Sequence, residues 1–463
     1  MEQSKYHPHH KILYRILKTM KMSLTEENVT KSLLSFAGPM ILGNLLQQFY
    51  NIVDTWVVGR YVGADALAAV GSAYTLMTFL NSILIGLCMG SGAAFSFYYG
   101  KKDQEKMCRC VRTAFVFIGA IAIVLSVLVQ IFLNPILRFL NTPTELLALM
   151  SAYIFIIFMG IPFIFLYNYF AFLLRAIGNS VVPLIFLGIA SILNIVLDLY
   201  CVLDLQWGLQ GAAIATIIAQ AVSGIGLGIY TYIKEPNFRF SYHKFIKEEK
   251  PIGEILNYSL LTCAQQSVMN FGILLIQGLV NSFGASVMAA FAAAVKIDTL
   301  AYMPAQEFGN AYSIFMSQNF GAGKKERLKQ GTKNAVVISS IFCILLSAFV
   351  FGLANYLMLI FVNENESQII EIGISYLRIE GTFYIGIGIL FLLYGYFRGI
   401  NKPAMSFVLT IISLGTRVIL AYILSAIPQI GVSGIWWSIP IGWLLADITG
   451  LVFMKQSLRT TNR

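Results

Sequence analysis

Charged side chains are scarce in this sequence. Asp, Glu, Lys and Arg make up 12% of its 463 residues, where a soluble domain carries about 25%. That shortage excludes a large soluble enzyme, because too little of the chain could face water. Histidine is rarer still. His7, His9, His10 and His243 are the only four, and all lie outside the apolar runs, which removes most metal and acid–base chemistry from the apolar interior. The six cysteines, Cys88, Cys108, Cys110, Cys201, Cys263 and Cys343, show no metal or disulfide spacing. The first 30 residues are basic and polar without an apolar h-region, so no cleavable signal is expected.

What the chain has in abundance is apolar residues, 57% of the total. They fall into about twelve runs, each long enough to cross a hydrocarbon core of ~30 Å as a helix. The expected fold is an all-α membrane protein with spans at 32–58, 66–98, 111–133, 144–174, 181–203, 208–233, 255–282, 286–320, 333–361, 367–397, 403–426 and 431–454. The net charge is +10, and nearly all Lys and Arg lie in the two termini and in alternate loops. The positive-inside rule then places both termini in the cytoplasm. The basic excess therefore reports topology, and no nucleic-acid partner is expected.

The chain repeats itself. Arg175 and Arg398, within LLRAIGNSVVP and YGYFRGINKPA, stand 223 positions apart, as do GKKD at 100–103 and GKKE at 323–326, and Gly208 and Gly431. Six spans per half give both halves the same orientation, a parallel repeat about the membrane normal, and transporters place substrate cavities between such halves. The expected organisation is a cytoplasmic arm over 1–31, an N-lobe over 32–233, a polar linker over 234–254, a C-lobe over 255–454 and a tail over 455–463.

Within span 5, Asn194 and Asp198 are spaced i, i+4 and point the same way; Thr216 follows about two turns into span 6. A carboxylate inside hydrocarbon costs at least ~2.5 kcal/mol and persists only facing protein or water, with a partner. This stretch reads as a cation site in a transporter.

GPMILGNLLQQFYNIVDTWVVGRYVGADALAAVG in span 1, LLRAIGN before span 5, NIVLD in span 5 and GAGKKER after span 8 together resemble the multidrug and toxic compound extrusion (MATE) family, over about residues 30–455. The resemblance implies two six-helix lobes in a V that export drugs and metabolites, often amphipathic cations, in exchange for H⁺ or Na⁺. The DinF-type branch is the more similar. Carried over, its cation site falls on Asp54, Asn194, Asp198 and Thr216. The alternative pattern, an acid in span 7 with another in span 10, finds no acid in LLTCAQQSVMN and only Glu380 in span 10.

Topology supports the same residues. Asp54, Asp198 and Thr216 each lie five to eight residues from the outer end of their spans, so all three fall roughly 7–12 Å deep at ~1.5 Å per residue. Their oxygens suit Na⁺ or a shared proton. Plainer readings stay open: Asp54 and Asp198 as residues of a wet outer rim, Asn194 as a helix bridge, Thr216 bonded back to its own helix. Pro39 is either a bend in span 1 or a mark of the helix start. Candidate substrate-cavity residues are Gln47, Asn51, Tyr302, Met303, Glu307 and Tyr384, which packing alone would also explain. Lys296, Asp298, Arg378, Glu380, Arg417 and Asp447 are expected to form a salt-bridge network or a second site.

The expectation is a multi-pass antiporter of the cytoplasmic membrane, monomeric, not an enzyme, with no cofactor beyond its coupling ion and no resident metal. A lipid-linked oligosaccharide flippase of related architecture is the first alternative, but it would need a more cationic cavity. A polytopic membrane enzyme is the second, and no converging catalytic motif supports it.

Overall fold

Residues 22–139, 144–239 and 251–461 are described by the structure, a computed structural model. Most of the expected arm at 1–31 and the middle of the linker at 234–254 lie outside them. Every long element is a helix, as apolar segments that must satisfy their own backbone in lipid require. In chain order they are α1 (Val29–Val57), α2 (Ala64–Lys101), α3 (Gln104–Ile131), α4 (Leu133–Phe139), α5 (Thr144–Met159), α6 (Ile161–Ala176), α7 (Val181–Leu199) and α8 (Gly208–Lys234) in the first half. The second half holds α9 (Ile252–Asn281), α10 (Ala285–Gly321), α11 (Lys325–Leu359), α12 (Ser367–Thr382), α13 (Tyr384–Gly399), α14 (Pro403–Ser425) and α15 (Val432–Thr461). Among the described residues, ten helices are long and apolar enough to span a membrane, or up to 12 spans if the bent pairs α5–α6 and α12–α13 each count as one.

Capping explains where several helices begin. Asn28 accepts from the Lys31 amide at 3.2 Å, and Asp103 accepts from the Lys106 amide at 3.0 Å, each satisfying an orphan donor. The stretch KKDQEKMCRCVR, expected as a loop, is mostly the first turns of α3, braced by an Arg109–Glu105 pair at 2.6 Å. Likewise α11 begins at Lys325, eight positions before the expected 333.

The internal repeat is visible in the backbone. The bends of 41° and 53° fall at Gly160 and Phe383, 223 positions apart. Pro162 accounts for the first, since it has no N–H to return to the preceding turn; the second carries no proline. Gly208 and Gly431 adopt nearly equal left-handed φ of 56° and 54°, at the turn into α8 and α15.

Hydrophobic packing divides into two clusters, one per half, with an exchange at the seam. Leu24, Leu33, Phe36, Ala37 and Met40 belong to the cluster built otherwise from the second half, whereas Ile255 and Tyr258 belong to the first. The start of each half is therefore packed into the other half's core. Pro39 sits inside this buried stretch of α1, in an uninterrupted helix. The structure shows no break in the helix there.

The halves approach closely where α2 meets α9. A Cβ at Gly86 would lie 2.6 Å from the Cα of Cys263, so only glycine permits this spacing. Nearby, Ser91 and Ser259 hydroxyls pair at 2.7 Å, Ser317 donates to the Ala93 carbonyl at 2.7 Å, and Gln318 donates to the Ala176 carbonyl at 2.8 Å. A strap at Met22–Thr25 crosses the seam. Its Met22 amide donates to Gly178 O at 3.0 Å, while its Leu24 carbonyl accepts from Arg327 at 3.0 Å. Further side-chain bonds join the halves through Tyr98 and Lys106 to Glu254, Asn319 to Leu24, Lys324 to Thr25 and Asn334 to Thr30.

Candidate functional site

Three helices bring the polar residues of the first half together. Asp198 and Asn194 on α7 are 0% and 2% exposed, Asp54 reaches them from α1, and Thr216 from α8. The Asp54 and Asp198 carboxyls lie near enough to act on each other electrostatically. Asn194 Nδ2 lies 3.5 Å from Asp198 Oδ1 and 3.4 Å from Thr216 Oγ1. Both distances exceed the 2.7–3.2 Å usual for an N–H···O bond, so the amide is loosely shared between two acceptors. Asp54 Oδ1, Asn194 Oδ1, Asp198 Oδ2 and Gln220 Oε1 are buried without any partner.

Two carboxylates close together in a dry environment need a proton or a cation between them. The donor set fits either. Carboxylate, amide and hydroxyl oxygens are hard ligands of the kind that take an alkali or alkaline-earth cation, and the pair itself can share a proton. A cavity of about 120 Å³ adjoins the cluster, lined in part by Gln47, Tyr50, Tyr167, Asn194, Thr216 and Gln220. The local backbone is wide here. α1 runs into a π-helical turn at Val58–Val62 and α7 into another at Tyr200–Asp204, so each aspartate sits within a turn of an i→i+5 segment. Such bulges recur at functional sites. Tyr50 and Gln220 were not singled out from the sequence, although Gln220 lies one turn after Thr216 on the same face.

The second half does not repeat this arrangement. At the 223-residue offset, Asp54, Asn194, Asp198 and Thr216 correspond to Gln277, Arg417, Ala421 and Ile439. Its own buried acids are elsewhere: Asp298 on α10 contacts Glu380 on α12, and both line a cavity of about 90 Å³ with Tyr302 and Arg417. The expected salt-bridge network does not form. Among the described residues no carboxylate lies within ion-pairing distance of Arg417, Arg378 or Lys296, and the Arg378 guanidinium instead sits over the Phe351 ring at 5.3 Å.

The candidate substrate residues do not share one cavity. Gln47 lines the cavity of the first half, and Tyr302 that of the second. Tyr384 is fully buried beside Asp298. Asn51 and Met303 are half-buried on α1 and α10. Glu307 stands at the seam itself, where Asn44 of α1 donates to its Oε1 at 3.1 Å.

A duplicated helical membrane protein with a buried, ion-competent carboxyl pair in one half belongs to the class of secondary transporters. The MatE family model matches residues 39–200 and again 262–423, two segments displaced by the same 223 positions as the repeat. The probable multidrug resistance protein YpnP of Bacillus subtilis is 30% identical over 433 residues, covering 93% of this chain and 96% of the relative. The probable multidrug resistance protein NorM of Thermotoga maritima is 25% identical, with 94% and 93% covered. A crystal structure of a MATE transporter in complex with MaL6 superposes with a TM-score of 0.89 at 22% identity, covering 95% of this chain and 98% of that one. The chain belongs to the MATE family of multidrug efflux transporters.

Proposed function

We propose that this transporter exports small amphipathic organic cations across the cytoplasmic membrane in exchange for H⁺ or Na⁺ taken up at Asp54, Asn194, Asp198 and Thr216. The reading also assigns it to the DinF-type branch, as a monomer with both termini cytoplasmic and with lobes at 32–233 and 255–454. The observation that carries it is the cluster of Asp54, Asn194, Asp198 and Thr216, whose Asp54 Oδ1, Asn194 Oδ1 and Asp198 Oδ2 are buried and, among the described residues, unpartnered. The second half has no acid at the matching positions, which favours coupling in the first lobe.

The coupling step follows from electrostatics. With neither proton nor cation bound, the two carboxylates repel. For unit charges about 4 Å apart at an effective dielectric of ~20 the term is roughly 4 kcal/mol. A free-energy difference of about 4 kcal/mol changes a two-state ratio by about 10³, enough to exchange the major and minor conformers of a transporter. Ion binding removes the term, so the ion selects the conformer in which α1, α7 and α8 pack together. The polar seam supplies the complementary task of holding an organic cation.

Purified protein reconstituted into vesicles, with Na⁺ and H⁺ gradients imposed one at a time, tests the proposal. Movement of a cationic dye driven by one gradient is expected, with loss of that drive in Asp198→Asn. Dye movement that follows neither gradient removes the antiport reading.

A further inference from the structure

Glu307 is set apart from the buried acids of the membrane helices. Asp198, Asp298 and Glu380 are sealed within their lobes, whereas Glu307 is half-buried at the seam and bonded across it. Its Oε1 accepts from Asn44 Nδ2 of α1 at 3.1 Å and from Asn310 Nδ2, one turn along α10, at 3.2 Å. Its other oxygen takes no bond among the described residues. Arg398 Nη2 donates to Asn310 Oδ1 at 3.2 Å and its Nε to Ser313 Oγ at 3.2 Å, and Arg398 also abuts the Met89 sulfur of α2. Tyr167, which lines the cavity beside the ion site, is an electrostatic neighbour of Glu307. The Asn44–Glu307 and Gln266–Met89 bonds both join the two lobes.

We propose that Glu307 is a shared ligand and a specificity-determining residue: it binds the cationic nitrogen of the substrate when the lobes part at the terminus-bearing end, and the Asn44 amide when they close there. The inference rests on the antiporter reading and adds how the substrate is released. In this proposal α1 beyond Met40 moves with the first lobe, so parting the lobes there breaks the Asn44–Glu307 bond. That strips a donor from a carboxylate in a poorly hydrated seam, and an organic cation replaces it. When the lobes close again, Asn44 returns and competes for the same oxygen, so affinity falls in the conformer that faces the opposite side. A ligand with different affinity for two states shifts them, and each state in turn sets its affinity. One hydrogen bond to a charged acceptor corresponds to about a tenfold or larger change in affinity.

The test uses two probes with one ring system, ethidium (a cation) and dihydroethidium (its uncharged reduced form), bound to full-length protein in detergent and followed by fluorescence. Glu307→Gln, which keeps an acceptor for Asn44, is expected to weaken ethidium at least tenfold and leave dihydroethidium within about twofold. Asn44→Leu is expected to tighten ethidium about tenfold, with no change for dihydroethidium, and to slow ethidium release. Asn44→Ser, whose side chain is too short to bridge, serves if the leucine variant is not monodisperse. Wild-type ethidium affinity in Glu307→Gln, or unchanged affinity in the Asn44 variant, overturns the proposal. Asp198→Asn separates the two ideas. It is expected to lose gradient-driven transport while Glu307→Gln in the same background still weakens ethidium and spares dihydroethidium; retained coupling in Asp198→Asn defeats the ion site and leaves the Glu307 result standing.

Discussion

The most demanding consequence concerns Asp54 and Asp198 as a unit. Asp198→Asn keeps the shape and size of a side chain that is 0% exposed and removes its charge. Because its carboxyl lies near that of Asp54, the substitution abolishes the pairwise repulsion of roughly 4 kcal/mol whichever partner is changed. Asp54→Asn should therefore produce nearly the same defect, and the double variant little more, as expected for groups that act together. The expected loss of gradient-driven dye export is about 10²–10³-fold for each single variant. The proper assay measures initial rates in vesicles under a fixed gradient, with dye binding measured separately on the same preparations. Additive losses would mean that the two aspartates do not share an ion, and a fully active Asp198→Asn would refute the coupling scheme.

Other substitutions test the packing and the seam. Gly90→Val should wedge α2 from α9, since even a Cβ there overlaps the Tyr258 carbonyl and Ser259 Cα, the latter at 2.7 Å; transport and melting temperature in detergent should both fall. Trp436→Ala removes a ring stacked on Phe291 at 5.5 Å and set edge-on to Tyr376 at 5.0 Å, so thermal unfolding should report a loss of about 3–5 kcal/mol. Lys106→Ala breaks a 2.8 Å ion pair with Glu254, but both partners are substantially exposed, and the loss should not exceed about 1 kcal/mol. If Na⁺ is the coupling ion, raising its concentration should raise the melting temperature of wild type and not of Asp198→Asn, because only a species that binds the folded state stabilises it.

Local pattern carried most of the architecture. Apolar runs set the number and approximate ends of the spans, since a helix is the economical way for a single backbone segment to cross lipid. The paired arginines Arg175 and Arg398 revealed the duplication because both halves build the same turn after them, with left-handed Gly178 and Asn401 223 positions apart, whereas GKKD and GKKE sit two residues out of register in theirs. Asn194 and Asp198 could be placed on one face because helical periodicity is local.

What the chain alone did not decide were relations between segments distant in sequence. Nothing in the order of residues says that Leu24 to Met40 are packed into the second half's core, or that Asp298 pairs with Glu380 while Arg417 stays beyond ion-pairing distance. Nor does it show that Asn44 bonds Glu307 across 263 positions. Side-chain type and spacing specify helices and their polar faces; which faces meet depends on how rigid helices, bent at Gly160 and Phe383, pack around small residues such as Gly86. Tertiary packing therefore settled which oxygens lie within reach of one another, and coupling an ion to a substrate depends on that proximity.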